Sequence, residues 1–116
     1  MVKVYGIKNC DTVRKALKWL ESNQVDFQFV DYRKDPLDED TLSLYAKTSL
    51  GAPLINTRST SFRALDDDQK GRLKAASPDY NLLSENPNII KRPIVETQDQ
   101  VIIGFDESLY QQYLPA

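Results

Sequence analysis

The chain of 116 residues contains no histidine and a single cysteine, Cys10. The first absence removes the usual general base near neutral pH, and with it Ser-His and Cys-His nucleophile pairs. The second rules out a disulfide within the chain, so the fold owes nothing to oxidation. It suits a reducing compartment, and the expected location is cytoplasmic. One cysteine and no histidine also fall short of the ligand set for a thiolate zinc site. No apolar run approaches the ~20 residues of a membrane span. Met1 to Asp11 carry polar side chains where a secretory signal needs an apolar stretch. The net charge is −2, so no global field draws the protein to nucleic acid or an anionic membrane, and neither is an expected partner.

Hydrophobic residues make up 41% and charged residues 28%, an ordinary balance for a soluble domain. The length suits one domain over 1–116, large enough to form a core without staples. Val2 to Ile7 alternates and predicts a strand. Lys8-Asn9-Cys10-Asp11-Thr12 is a polar turn. Val13, Ala16, Leu17 and Leu20 follow at helical spacing, with Asp11 or Thr12 as the expected cap and Asn23 as the stop. Phe27 to Tyr32 is aromatic and β-branched and predicts a second strand, parallel to the first because a crossover helix joins them. Helices follow: one capped by Asp38 and one opened by an Asp66/Gln69 capping box and closed by Ser77-Pro78. A short one bears Leu82 and Leu83 and is closed by Asn86-Pro87. Ile94-Val95 and Val101-Ile102-Ile103 flank a polar turn at Thr97 to Gln100 and predict a hairpin. Asp106 then caps a last helix carrying Leu109, Tyr110 and Tyr113. The segment from about 37 to 88 reads as a helical insertion packed on the sheet.

Cys10 falls where the first helix begins. A free thiol ionises near ~8.5, and the unpaired N–H groups of a helix N-terminus stabilise its thiolate. Lys8, Arg14 and Lys15 add nearby positive charge. A buried structural cysteine is the alternative, and the polar neighbours Asn9 and Asp11 argue against it. In Ile90-Lys91-Arg92-Pro93-Ile94, a proline directly before an apolar strand fits either the first residue of that strand or a cis peptide in a tight turn. Asn56-Thr57-Arg58-Ser59-Thr60-Ser61 is a polar loop. It reads as a solvated connection or, through Arg58, as a contact for an anion; Arg63 is a weaker candidate for that contact.

Three ordered blocks, Gly6 to Thr12, Asn56-Thr57-Arg58 and Ile90 to Ile94, resemble the ArsC/Spx family, nearest its YffB branch. The ending from Gly104-Phe105 to Leu114-Pro115 is similar as well. The resemblance implies an α/β, thioredoxin-like fold: a mixed four-stranded sheet, βαβ–ββα, with the helical insertion. It implies that Arg92 precedes a cis-proline, Pro93, facing a reactive Cys10. It further implies a monothiol oxidoreductase with no tightly bound cofactor and with glutathione as co-substrate. Its partner is then glutathione or another small thiol or disulfide, and the expected form is a monomer. Lys8, Asn9, Thr12, Arg58 and Pro93 are the expected substrate contacts. Spx regulators in this family bind RNA polymerase. The alternative is therefore an adaptor docking on the C-terminal domain of the polymerase α chain.

Departures from the family separate these activities. Arsenate reductases of the ArsC type carry Cys-Gly-Thr-Ser, where this chain has Cys10-Asp11-Thr12-Val13. They also carry a histidine four residues before the cysteine, where this chain has Gly6. Arg92 matches one of their three oxyanion arginines and Arg58 lies near a second. No Lys or Arg follows Pro93. A site short of one charge-assisted contact gives up ~1.5–3 kcal/mol, so weak arsenate chemistry is expected. Val13 stands at the second position of the Spx Cys-x-x-Cys switch, so that intramolecular switch cannot form.

Overall fold

The computed structural model describes residues 1–114; Pro115, the last residue of the similar C-terminal stretch, lies outside them. The chain opens with β1 (Val2–Gly6), α1 (Asp11–Ser22) and β2 (Phe27–Asp31). It continues with α2 (Glu39–Thr48), β3 (Leu50–Gly51), α3 (Thr60–Arg63), α4 (Asp67–Lys74) and α5 (Tyr80–Glu85). A 3-10 turn at Pro87–Ile89 leads into β4 (Ile94–Glu96), β5 (Val101–Ile103) and α6 (Glu107–Tyr113). The strands form one mixed sheet in the order β2-β1-β4-β5-β3. β1 and β2 are parallel, as the crossover requires, and β4 is antiparallel to both β1 and β5.

Strand alternation sorts the core onto two faces. Val4, Val95 and Ile102 are register partners across three strands and point to one side. There α1 contributes Ala16 and Leu20, and α6 contributes Tyr110. The next rung, Tyr5, Ile94 and Ile103, points to the other side. That face is covered by α2 to α5 through Leu42, Tyr45, Phe62, Leu73, Leu82 and Leu83. Tyr110 is fixed twice. Its hydroxyl donates to the Gly104 carbonyl at 2.7 Å, and its ring meets Trp19 and Phe105 edge-on. The helix caps follow the sequence. Asp38, Asp66 and Asp106 each accept from a backbone N–H of their helix's first turn, and Asp66 with Gln69 completes the capping box. Asn23 stops α1 by donating to the Trp19 carbonyl at 2.8 Å, and Gln24 turns the chain at φ +58°.

Four expectations are corrected. The sheet has five strands rather than four, because Leu50–Gly51 pairs parallel with Ile102–Ile103. Two residues carry no alternation, so this strand is invisible as a pattern. Gly51 is required there: at φ +91° its absent Cβ would sit 2.4 Å from the Ile103 carbonyl oxygen. The loop after Asn56 contains a one-turn helix, α3, capped by the Ser59 hydroxyl, which accepts from Phe62 N–H at 3.0 Å. α4 ends at Lys74, before Ser77-Pro78. Asp79 draws the chain back by donating its N–H to the Arg72 carbonyl (3.1 Å) and pairing its carboxylate with the Arg72 guanidinium (3.1 Å). Finally, α1 is capped by neither Asp11 nor Thr12; Cys10 itself holds the N-cap position.

Ile102 is fully buried in the rung shared by α1 and α6. Ile102→Ala is expected to cost about 2–5 kcal/mol in urea unfolding. A loss below ~1 kcal/mol would mean that this face repacks around the gap.

Candidate active site

The three blocks singled out in the sequence converge at one end of the sheet. β1 delivers the turn 7–10, and Cys10 takes the N-cap of α1 in extended geometry, φ −114° and ψ 128°. The Ile90–Ile94 block enters the same end through β4, and the Arg92–Pro93 peptide is cis. Pro93 is tied to the sheet because its carbonyl accepts from Gly104 N–H at 2.8 Å. The middle block is held beside it by backbone. Asn56 N–H donates to the Ile89 carbonyl and Lys91 N–H to the Leu54 carbonyl, both at 2.8 Å, around an Ile55–Ile90 bridge.

The thiol is half-buried. That burial pushes its pKa up, and three groups reverse the effect: the Val13 N–H, the Arg92 guanidinium and the Thr12 N–H. The net result is a thiol held below its ordinary value. Thr12 and Val13 are the second and third residues of α1. An N-cap oxygen would ordinarily accept from those N–H groups. Here no hydroxyl or carboxylate occupies that place, and the sulfur receives the field of the helix end.

Arg92 is itself anchored. Its Nη1 donates to the Tyr32 hydroxyl at 3.3 Å, and that hydroxyl donates to the Ile90 carbonyl at 3.4 Å. Tyr32 is wholly buried just past β2. Burial pushes its phenol up, so at neutral pH it is a neutral hydroxyl able to accept from Arg92 and donate to Ile90 at once. In the sequence Tyr32 ends an aromatic strand and carries no further signal. The anchoring hydroxyl becomes apparent once β2 and β4 are seen to flank β1.

The other cations divide differently from expectation. Arg14 pairs with Asp11, so its charge is spent within α1. Lys8 is exposed and places its ammonium over the Phe29 ring, 5.5 Å from the centroid, facing β2. The positive charge at the thiol comes from Arg92, not from the helix's own lysines and arginines. Asn9 is exposed, and Thr12 acts through its backbone N–H. Arg58 and Arg63 are exposed, and of the two only Arg58 belongs to the block that the Ile55–Ile90 bridge holds beside the site. The structure ties Arg58 down by its N–H, which donates to the Asn56 side chain at 3.1 Å, and not by its guanidinium.

The two departures at Gly6 and Val13 touch. A Cβ at Gly6 would lie 3.0 Å from Val13 Cγ2, and Val13 is fully buried. No cluster of residues suited to a metal ion occurs among the described residues, and none of their helices is long and apolar enough to cross a membrane.

A thioredoxin-like α/β domain with a half-buried cysteine at its first strand-helix turn is the class that this arrangement defines. The ArsC family model matches residues 5–113, and the chain belongs to the ArsC family. A protein of Haemophilus influenzae, of uncharacterized function, is 46% identical over 112 residues, covering 96% of each chain. The global transcriptional regulator Spx of Streptococcus pyogenes is 34% identical over 116 residues, covering 98% of this chain and 85% of the regulator. A solved YffB protein is 32% identical, with a TM-score of 0.87 over 99% of this chain and 100% of that one.

Alkylation of Cys10 by iodoacetamide is expected to reach half its limiting rate below the ~8.5 of a free thiol. Tyr32→Phe deletes the acceptor for Arg92 and is expected to move that midpoint upward while leaving far-UV circular dichroism unchanged. An unshifted midpoint would mean that Tyr32 is merely a packing residue.

The lowered thiol also links pH to stability. A depressed folded-state pKa contributes stability that is fully present above the unfolded value, ~8.5, and is lost as pH falls through the folded value. Wild type should therefore gain stability relative to Cys10→Ser as pH rises across that window. Parallel stability curves would contradict this.

Proposed function

We propose that the protein is a glutathione-dependent monothiol reductase acting through Cys10. The observation that carries this reading is the lowered pKa of a lone, accessible thiol flanked by Arg92 and the free N–H groups of α1. The Cys10 thiolate attacks one sulfur of a disulfide R–S–S–R. The S–S bond breaks, a Cys10–S–S–R bond forms, and R–S⁻ leaves. Glutathione thiolate attacks the Cys10 sulfur of that mixed disulfide, releasing the second R–S⁻ and leaving Cys10–S–S–glutathione. A second glutathione thiolate then frees Cys10 and departs as glutathione disulfide. Two electrons pass from two glutathiones to one disulfide. External thiol is needed because Val13 stands where a resolving cysteine would have to be. Arg92 stabilises the thiolate as attacking and as leaving group.

Wild-type protein incubated with glutathione disulfide is expected to gain one glutathionyl group by intact-mass spectrometry, and Cys10→Ser none. Arg92→Ala should slow adduct formation at neutral pH by roughly tenfold or more, as loss of a charge-assisted contact of ~1.5–3 kcal/mol implies. Absence of any adduct on the wild type would end this reading.

A second reading rests on the likeness to the Spx regulator across nearly the whole chain. In it the domain is an adaptor that docks on the C-terminal domain of the RNA polymerase α chain, with Cys10 dispensable. Capture of that domain by both wild type and Cys10→Ser would favour the adaptor; no capture would remove it. Arsenate reduction is the least supported activity, since Arg92 is the one arginine beside the thiol among the described residues. A coupled assay with glutathione and glutaredoxin is expected to give little turnover.

A further inference from the structure

The helical layer does not cover the whole sheet. Tyr5, Ile94 and Ile103 pack among α2 to α5, but the next rung on that face, Lys3, Glu96 and Val101, is exposed or only half-buried. An open groove of about 590 Å³ lies there, between α2 and the β4–β5 turn. Its volume falls in the range of binding clefts. Leu44, Tyr45 and Thr48 line it from α2, and Glu96, Asp99 and Val101 from the hairpin. Leu44 is 57% exposed, although Leu42 and Tyr45 on the same helix are buried. After Met1 it is the most exposed large apolar side chain among the described residues. A lone exposed leucine is commonplace. This one shares a concave surface with Val101 and Tyr45, the setting in which exposed apolar area marks a contact site.

The walls are preformed. The Tyr45 hydroxyl donates to the Glu96 carboxylate and fixes it at the groove. Gln100 Nε2 donates to the Thr48 carbonyl at 3.4 Å, joining the turn to the end of α2. Within the turn the Thr97 hydroxyl accepts from the N–H groups of Asp99 and Gln100, at 3.2 and 2.9 Å. The lining carries two carboxylates, Glu96 and Asp99, and no cation. Neither carboxylate is ion-paired among the described residues. Lys3, the register partner of Glu96, lies outside the lining. Such a surface repels the phosphates of nucleic acids and anionic lipids. A second copy in a twofold contact would set Glu96 and Asp99 against their own equivalents. The chemistry that fits is apolar in the middle and positive around it.

We propose that this groove docks a basic peptide segment of a partner protein. An aliphatic side chain of the segment seats against Leu44 and Val101, and its lysines or arginines face Glu96 and Asp99. The surface is separate from the thiol. The groove lies at the Lys3–Glu96 end of the β1–β4 pair, whereas Cys10 follows the other end of β1. Docking there leaves Cys10 free to react, and it stands or falls independently of the thiol chemistry.

The experiment selects phage-displayed random dodecapeptides on the full chain. Enriched peptides are then synthesised and titrated by fluorescence anisotropy against wild type and the double variant Leu44→Gln/Asp99→Lys. Both side chains are exposed, so the variant is expected to keep the wild-type circular dichroism; Asp99→Lys serves by itself if the pair disturbs α2. Enriched peptides are expected to carry lysine or arginine around an aliphatic residue. They should bind the variant about tenfold or more weakly, because an apolar anchor is lost and a like charge is introduced. Their affinity should fall as salt rises, and the rate of Cys10 alkylation should be the same with peptide bound. Enrichment of acidic or uncharged peptides overturns the proposal, as does equal affinity for wild type and variant. A bound peptide that shields Cys10 from alkylation places the contact at the other end of the sheet and also overturns it. So does a selection that enriches nothing. Concentration-dependent sedimentation of wild type that the variant abolishes would give the groove to a second copy instead.

Discussion

The hydrogen bond from Arg92 to Tyr32 joins two parts of the chain that lie 60 residues apart in sequence. A guanidinium next to a thiol is effective only if it stays there, since a free arginine side chain would spend its time in water. The buried phenol supplies a fixed acceptor, and its own proton goes to the Ile90 carbonyl in the strand entry that carries Arg92. The cation is thus held before any substrate arrives by a hydroxyl that is itself fixed. This is preorganisation in its ordinary sense: the ordering of a long side chain is completed on folding and need not be repeated at each turnover. The order β2-β1-β4 makes it feasible, because the ends of β2 and β4 flank the turn that bears Cys10.

The helix end contributes in a different way. N-caps are normally oxygen, and a carboxylate or hydroxyl at position 10 would satisfy the first turn of α1 more completely than sulfur does. Cysteine there leaves part of that demand unmet in the thiol form and meets it on ionisation. The same geometry that costs the helix a good cap gives the thiolate its partners. Other helices in the fold, with Asp38, Asp66 and Asp106 at their starts, show what a cap devoted to stability looks like.

Much of this was legible in the residues. Periodicity placed α1, both parallel strands and the hairpin, and side-chain chemistry placed the aspartate caps. Cys10, Arg92 and Pro93 stood out because each is odd for its position. Three things were not legible, for physical reasons. β3 is too short to show a period, and its evidence is one glycine whose constraint comes from Ile103, more than fifty residues on. Tyr32 reads as core because a buried ring and a buried ring with a working hydroxyl have the same hydropathic pattern. Arg92 was named beside Cys10 from the sequence, but the pairing of Arg14 with Asp11 shows only in the folded geometry, because sequence proximity alone counts Arg14 as a neighbour of the thiol.

The contact between Gly6 and Val13 makes the two positions interdependent. The two positions at which the sequence departs from its expected pattern are packed against each other. With Val13 in place, any side chain at position 6 must displace its methyl group. A cysteine at 13 would occupy less room than valine and loosen that constraint. The two positions are therefore coupled: a larger residue at 6 is accommodated only as far as the side chain at 13 yields.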